Sequence, residues 1–432
     1  MNRRSARSLA AATLGLLAAH AAAPAQASAA RAAGPIQHVV FVLQENRSFN
    51  NLFMGYPGAV TATYGYDTQG QRIALHAQTL PTQWDIDHSA RAFFAAMDGG
   101  KLDGWNKERV SGARPPAHAQ YAYVPRNETK PYWDLAQQYV LADNAFASQL
   151  DGSFTAHQYA IAAYSGNAVD YPSAEPWGCA GGPSDTIPTL TQNRKYGPPE
   201  PVCFTYQTLG QEADAAGVSW RSYTGSIYGD GGLWNGYQAI SAIYNGPDWT
   251  ANVVNPPAQF LTDVKAGQLA AITWVTPTYE ASDHGGMGAG QGPAWVASVV
   301  NAVGHSKFWK STAIFVMWDD WGGWFDPVPP PTEDYDGLGF RVPLIMISPY
   351  AKAGYVTHVQ YETASVLRFA EDTFGLPQMA AADARAADPA SDAFDYSQPP
   401  RPYKRIGGAQ TGGYRQALGS ARGRALDPAF GD

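Results

Sequence analysis

Four short apolar runs, at residues 36–43, 271–275, 312–318 and 342–347, constrain this chain more than any other feature, because each is rich in Val, Ile or Phe and too short for a helix. Runs without polar alternation belong to strands buried on both faces. Helical periodicity fills the stretches between them, at 131–139, 153–164, 209–216, 293–303 and 363–374. Strands alternating with helices predict an α/β chain, a three-layer α/β/α sandwich around a mainly parallel sheet, with all four runs as inner parallel strands. The 432 residues suffice for one large unit of this kind.

The polar residues just past the strands carry the chemistry. The first run leads into Gln44-Glu45-Asn46, the third into Asp319-Asp320-Trp321-Gly322-Gly323, and the second into a loop with Asp283-His284-Gly285-Gly286. In an open α/β sheet the carboxyl ends of the strands line one crevice, so topology alone brings these groups together. Glu45, Asn46, Asp319 and Asp320 are hard oxygen donors suited to a divalent cation. Each singly also fits a helix cap or a turn, but two adjacent carboxylates ending an apolar strand are costly without a cation between them.

The formal net charge is −8, and no run of Lys or Arg lies beyond the first eight residues, which excludes the electrostatic footprint of nucleic-acid binding. Residues 1–29 combine Arg3, Arg4 and Arg7 with an apolar stretch and small residues near Ala27, the pattern of a cleaved signal peptide, and Arg3-Arg4 also fits the twin-arginine route. No later segment is apolar for long enough to span a membrane. The expected location is periplasmic or secreted, with a catalytic domain over 30–376 and a loop-rich tail over 377–432 that packs on the domain or trails from it. Cys179 and Cys203, 24 positions apart, are expected to pair in an oxidising compartment. Closing that loop contributes on the order of 3 kcal/mol.

Seven segments, IQHVVFVLQENRSFNNLF (36–53), DHSARAFFAAMDGGKLDGW (87–105), PYWDLAQQYVLADNAF (131–146), DGSFTAHQYAIAAYSG (151–166), ITWVTPTYEASDHGG (272–286), AIFVMWDDWGGWFDPVPPP (313–331) and GFRVPLIMISPYAKAGYV (339–356), stand in the order found in one group of proteins. Over residues 36–376 the chain resembles the bacterial phosphoesterase family that contains exported phospholipases C and related acid phosphatases. The resemblance implies a fold similar to the alkaline phosphatase superfamily and one divalent metal ion, Ca, Zn or Mg, held by Glu45, Asn46, Asp319 and Asp320. It implies Ser153 as nucleophile with Thr155 as fallback, and His88 and His284 as catalytic groups on the phosphoryl oxygens, with Asp87 and Asp283 as neighbours that orient them. His157, one helical turn after Ser153, stands with Asp283 on the substrate side or is simply packed.

Three departures from the family pattern matter. Gly152 replaces a Pro common before the nucleophile, no His occurs between His157 and His284, and Asp326-Pro327 replaces an Asp-His pair. The second half of the phosphate site is therefore built differently. The expected activity is metal-dependent hydrolysis of phosphate monoesters through a phosphoserine, with phospholipase C-type cleavage of lipid-headgroup diesters as the alternative. The partner is a small phosphorylated substrate or a phospholipid headgroup, and the short stretch past the last matching segment tips the expectation toward the monoesterase. A paired-carboxylate glycosidase and a non-catalytic binding protein are the readings from other classes.

Overall fold

The computed structural model describes residues 34–229, 232–286 and 290–408; the leader read at 1–29 and the end of the tail lie outside the described residues. Eight strands form the central sheet: β1 His38–Gln44, β2 Val140–Ala142, β3 Trp220–Tyr223, β4 Val253–Val254, β5 Ile272–Val275, β6 Thr312–Trp318, β7 Leu344–Ile347 and β8 Tyr355–Thr357. Their spatial order is β4-β3-β5-β1-β6-β7-β2-β8. β1 runs parallel to both of its neighbours, with Val39 opposite Ile272 on one side and His38 to Gln44 opposite Thr312 to Trp318 on the other.

The fourth predicted run needs a correction. β7 is antiparallel to β6 and to β2, not parallel. Parallel neighbours need a crossover, usually helical, over one face of the sheet. The segment 319–343 between β6 and β7 contains no helix, and the chain returns in the opposite direction.

Phe41 stacks on Trp274 with ring centroids 5.1 Å apart and is the register partner of Phe315, so the three form a row across one face of the sheet. Phe315 meets Phe369 of the Thr363–Phe374 helix at 4.9 Å, and Trp274 Nε1 donates to Ala160 O of the Ser153–Ala162 helix at 2.9 Å. Trp318, three residues after Phe315 and so on the opposite face, meets Tyr132 of the Lys130–Gln138 helix at 4.8 Å. Helices cover both faces, which makes the fold a three-layer α/β/α sandwich with a mainly parallel sheet. No helix among the described residues is long and apolar enough to cross a membrane.

Residues 377–408 pack on this body. Asn301 Oδ1 accepts from Tyr403 Oη at 2.7 Å and from the Ile406 amide at 2.9 Å. Asp383 accepts from the Met379 and Ala380 amides at 2.7 and 2.9 Å, and it lies beside the fully buried Glu371.

Burial, with the Asp383 carboxylate close by, pushes the Glu371 carboxyl up to about 9. The folded chain thus keeps a proton that the unfolded chain releases near the ordinary value of 4.5, and stability falls as pH rises between those two values. Glu371→Gln removes that loss. Its calorimetric melting temperature should exceed the parent's by a few degrees at about pH 8 and match it at about pH 4; a gap that does not widen with pH would refute the assignment.

Candidate active site

β1 and β6 end side by side, Gln44 opposite Trp318, so the residues immediately beyond them meet. The Asp319 amide donates to Gln44 O at 3.0 Å, and the Asn46 amide donates to Asp319 Oδ1 at 2.9 Å. Asn46 sits at a left-handed φ of 54°, which Asn tolerates better than most side chains. Gly322 closes the facing turn at φ +61°, where an added Cβ would lie 2.1 Å from Asn46 O. Any larger residue there would push the two turns apart.

Ser153 opens the Ser153–Ala162 helix, but Gly152 is the cap and the Ser153 hydroxyl makes no capping bond. Its Oγ lies 3.2 Å from Glu45 Oε2 and 3.4 Å from Asp320 Oδ2, and accepts from Asn46 Nδ2 at 3.1 Å. The fallback, Thr155, donates to Asp151 Oδ2 at 2.9 Å instead. One turn on, His157 Nε2 stands 2.8 Å from Glu45 Oε1 and 3.9 Å from Asp319 Oδ2. The fold thus places His157 against the carboxylates, beside the groups read as metal ligands.

His88 donates through Nδ1 to Ile86 O at 2.7 Å, and its Nε2 is 2.8 Å from Asn46 Nδ2. His284 donates through Nδ1 to Gly285 O at 2.5 Å. The two rings meet edge to face at 5.7 Å, and Trp234 stacks on His284 at 5.9 Å. Asp283 directs its carboxylate elsewhere: Oδ2 accepts from Tyr132 Oη at 2.8 Å and from Trp318 Nε1 at 3.0 Å, which anchors the loop against the sheet. Asp87 is engaged by the amide and hydroxyl of Ser89 at 3.1 and 2.6 Å.

Sequence reasoning missed Arg47. Fully buried, it donates from Nε to Asp283 O at 2.8 Å, from Nη2 to Leu80 O at 2.7 Å and from Nη1 to Asn51 Oδ1 at 3.2 Å, with Trp324 4.4 Å below its guanidinium. It ties the end of β1 to the loops that lead to His284 and His88. The available signal was an arginine directly after a strand-end Glu-Asn pair. Trp220, Trp234 and Tyr237, which follow the serine helix in the chain, are all buried.

Burial, reinforced by Asp319, holds the Glu45 carboxyl well above the usual range. Burial also drives the His157 imidazole down to about 4 against the pull of Asp319, so it is neutral near pH 7. Asp283 is lifted to about 6 by burial, opposed by Arg47.

The family model for the phosphoesterase family matches residues 36–377, a stretch that holds every residue of this site. The chain belongs to the phosphoesterase family. It is 26% identical over 433 residues to phospholipase C B of Mycobacterium tuberculosis, covering 85% of this chain and 79% of that one. It is 25% identical over 414 residues to the hemolytic phospholipase C of Pseudomonas aeruginosa, covering 79% of this chain and 53% of its relative. Among solved structures, a protein in the alkaline phosphatase superfamily from Vibrio parahaemolyticus aligns over 79% of this chain and 67% of its own, at a TM-score of 0.37 and 10% identity. This phosphoesterase is accordingly a hydrolase acting on phosphoric esters.

Its site fits a cation. Glu45, His157 and Asp319 each offer a ligand atom, all within 4.8 Å of one another and all buried. Among the described residues no Lys or Arg pairs with Glu45 or Asp319, and Asp319 Oδ2 and Asn46 Oδ1 have no hydrogen-bond partner. Buried carboxylates without a counter-charge are strongly unfavourable. A divalent cation should therefore raise the melting temperature of chelator-treated protein. Asp319→Asn should raise the melting temperature of the chelated form and abolish the cation-induced rise; an unchanged rise in that variant would exclude Asp319 from the site.

Proposed function

We propose that this phosphoesterase is an exported, metal-dependent phosphodiesterase of the phospholipase C type, cleaving phospholipid headgroups through a phosphoserine on Ser153. The observation that carries it is a buried serine hydroxyl set among Glu45, Asn46 and Asp320 at the ends of two adjacent strands. The names of the relatives favour the diesterase over the monoesterase expected first from the sequence.

Glu45, Asp319 and Asp320 would hold one divalent cation, with His157 through Nε2 and Asn46 through Oδ1, the amide end without a partner. Such an ion supplies charge neutralisation, which lowers the cost of an alkoxide beside it and of negative charge on the phosphoryl group. Ser153 Oγ forms the new bond to phosphorus as the bond to the lipid alcohol breaks in line with it. Glu45 Oε2 and Asp320 Oδ2, at 3.2 and 3.4 Å, are within reach of the serine proton. A backbone carbonyl fixes the Nδ1 side of His284, so Nε2 is the ring atom that, once protonated, donates to a leaving oxygen or grips a non-bridging one, while His88 Nε2 faces Asn46 Nδ2 and holds that amide in place. Water then splits the phosphoserine and restores the hydroxyl.

Ser153→Ala should lose at least about three orders of magnitude in kcat on a phosphocholine diester, while its cation-induced rise in melting temperature persists. The same diester should exceed p-nitrophenyl phosphate about tenfold or more in kcat/KM. A preference for the monoester would restore the acid phosphatase reading, and an active Ser153→Ala enzyme would end the phosphoserine mechanism.

A further inference from the structure

The Cys179–Cys203 disulfide lies well away in sequence from every group above, yet both cysteines flank one short segment, the 3-10 turn Gly236–Ala239. Next to Cys179, Gly178 packs so closely that an added Cβ would stand 2.9 Å from Ala239 Cα and 3.0 Å from Gln238 O. Next to Cys203, the Phe204 amide donates to Ala239 O at 2.7 Å, and the Ser241 amide donates back to Phe204 O at 2.8 Å. The bridge therefore joins two stretches of chain that both pack on residues 238–241.

The segment 236–239 in turn presses on the helix that carries Ser153 and His157. A Cβ on Gly236 would lie 2.8 Å from His157 O, and Gln158 Nε2 donates to Gly236 O at 3.0 Å. At its other end the segment continues from Trp234, which stacks on His284. Val202, beside Cys203, and Phe154, beside Ser153, share one apolar cluster with Trp234 and Tyr279. One clamped stretch thus touches both the serine helix and the wall behind His284.

We infer that the Cys179–Cys203 bridge is a positioning element of the active site, holding residues 234–239 so that Ser153 and His157 keep their distance from His284. This rests on the phosphoserine reading above. Displacement of reacting groups by about 1 Å can cost about a hundredfold in rate, so a loosened clamp should act on turnover more than on substrate binding.

The test compares the full-length oxidised enzyme with Cys179→Ser/Cys203→Ser, assayed at a temperature where circular dichroism shows the variant folded. The expected result is a fall in kcat of about tenfold or more with KM within about twofold. A second variant, Gly236→Ala, leaves the bridge intact but pushes on His157 O, and it should reproduce the same split even if the double serine variant does not fold. Full turnover in Gly236→Ala, or kcat within twofold of the parent in a folded bridge-less enzyme, overturns the clamp. Ser153→Ala serves as the separate control: if it stays active, the mechanism on which the clamp rests has failed, whereas an inactive Ser153→Ala beside a fully active bridge-less enzyme refutes the clamp alone.

Discussion

Three carboxylates, Glu45, Asp319 and Asp320, are buried together at the ends of β1 and β6, and much of the molecule is arranged to permit it. The register of the two strands makes the meeting unavoidable, since Gln44 lies opposite Trp318 and the acids come directly after. Burying like charges in one place is unfavourable by several kcal/mol per ion unless a counter-charge is present. The left-handed turn at Asn46 and the glycine at 322 show that the backbone accepts unusual conformations to hold this geometry. Functional sites are where such local costs are expected to concentrate.

The two fully buried arginines show how the rest of the crevice is supported. Arg47 directs its donors to backbone carbonyls and an amide, which cross-links loops from β1, β5 and the region around Leu80. Arg341 forks onto Asp326 at 2.8 and 3.1 Å, and Asp326 also accepts from the Asn50 amide. Asp326 is thereby a structural partner, although it lies on the same loop as Asp319 and Asp320. A planar fork with several rigid donors suits this cross-linking in a way that a lysine ammonium does not.

The long central strands were legible because burial on both faces removes polar residues from them. β1, β5 and β6 fall within one or two residues of the expected runs, and β6 matches its run from Thr312 to Trp318. Short strands were not legible. β2 and β4 are apolar but only three and two residues long, too short to stand out as runs, and β3 is interrupted by the partly buried Arg221. The direction of β7 depends on how the 319–343 loop returns, which local sequence does not encode. At the site, chain topology fixed which backbones meet, and so Glu45, Asn46, Ser153, Asp319 and Asp320 come together. Which way a side chain turns is set by tertiary packing, and so His157 against Glu45 and Asp283 against Tyr132 and Trp318 were beyond the pattern.

The same charges bear on the choice between monoester and diester. A phosphate monoester carries about −1.5 to −2 near neutral pH, whereas a diester carries a single negative charge. Arg47 and Arg341 are the buried arginines among the described residues, no lysine is buried with them, and both are committed to other partners. His157, neutral near pH 7, adds no positive charge beside the carboxylates. Apart from the imidazoles of His88 and His284, the charged groups at the strand ends are carboxylates, so further negative charge brought beside them is unfavourable without an added counter-charge. A singly charged diester adds less negative charge beside these carboxylates than a doubly charged monoester does, which is a physical ground for the proposed diesterase beside the names of the relatives.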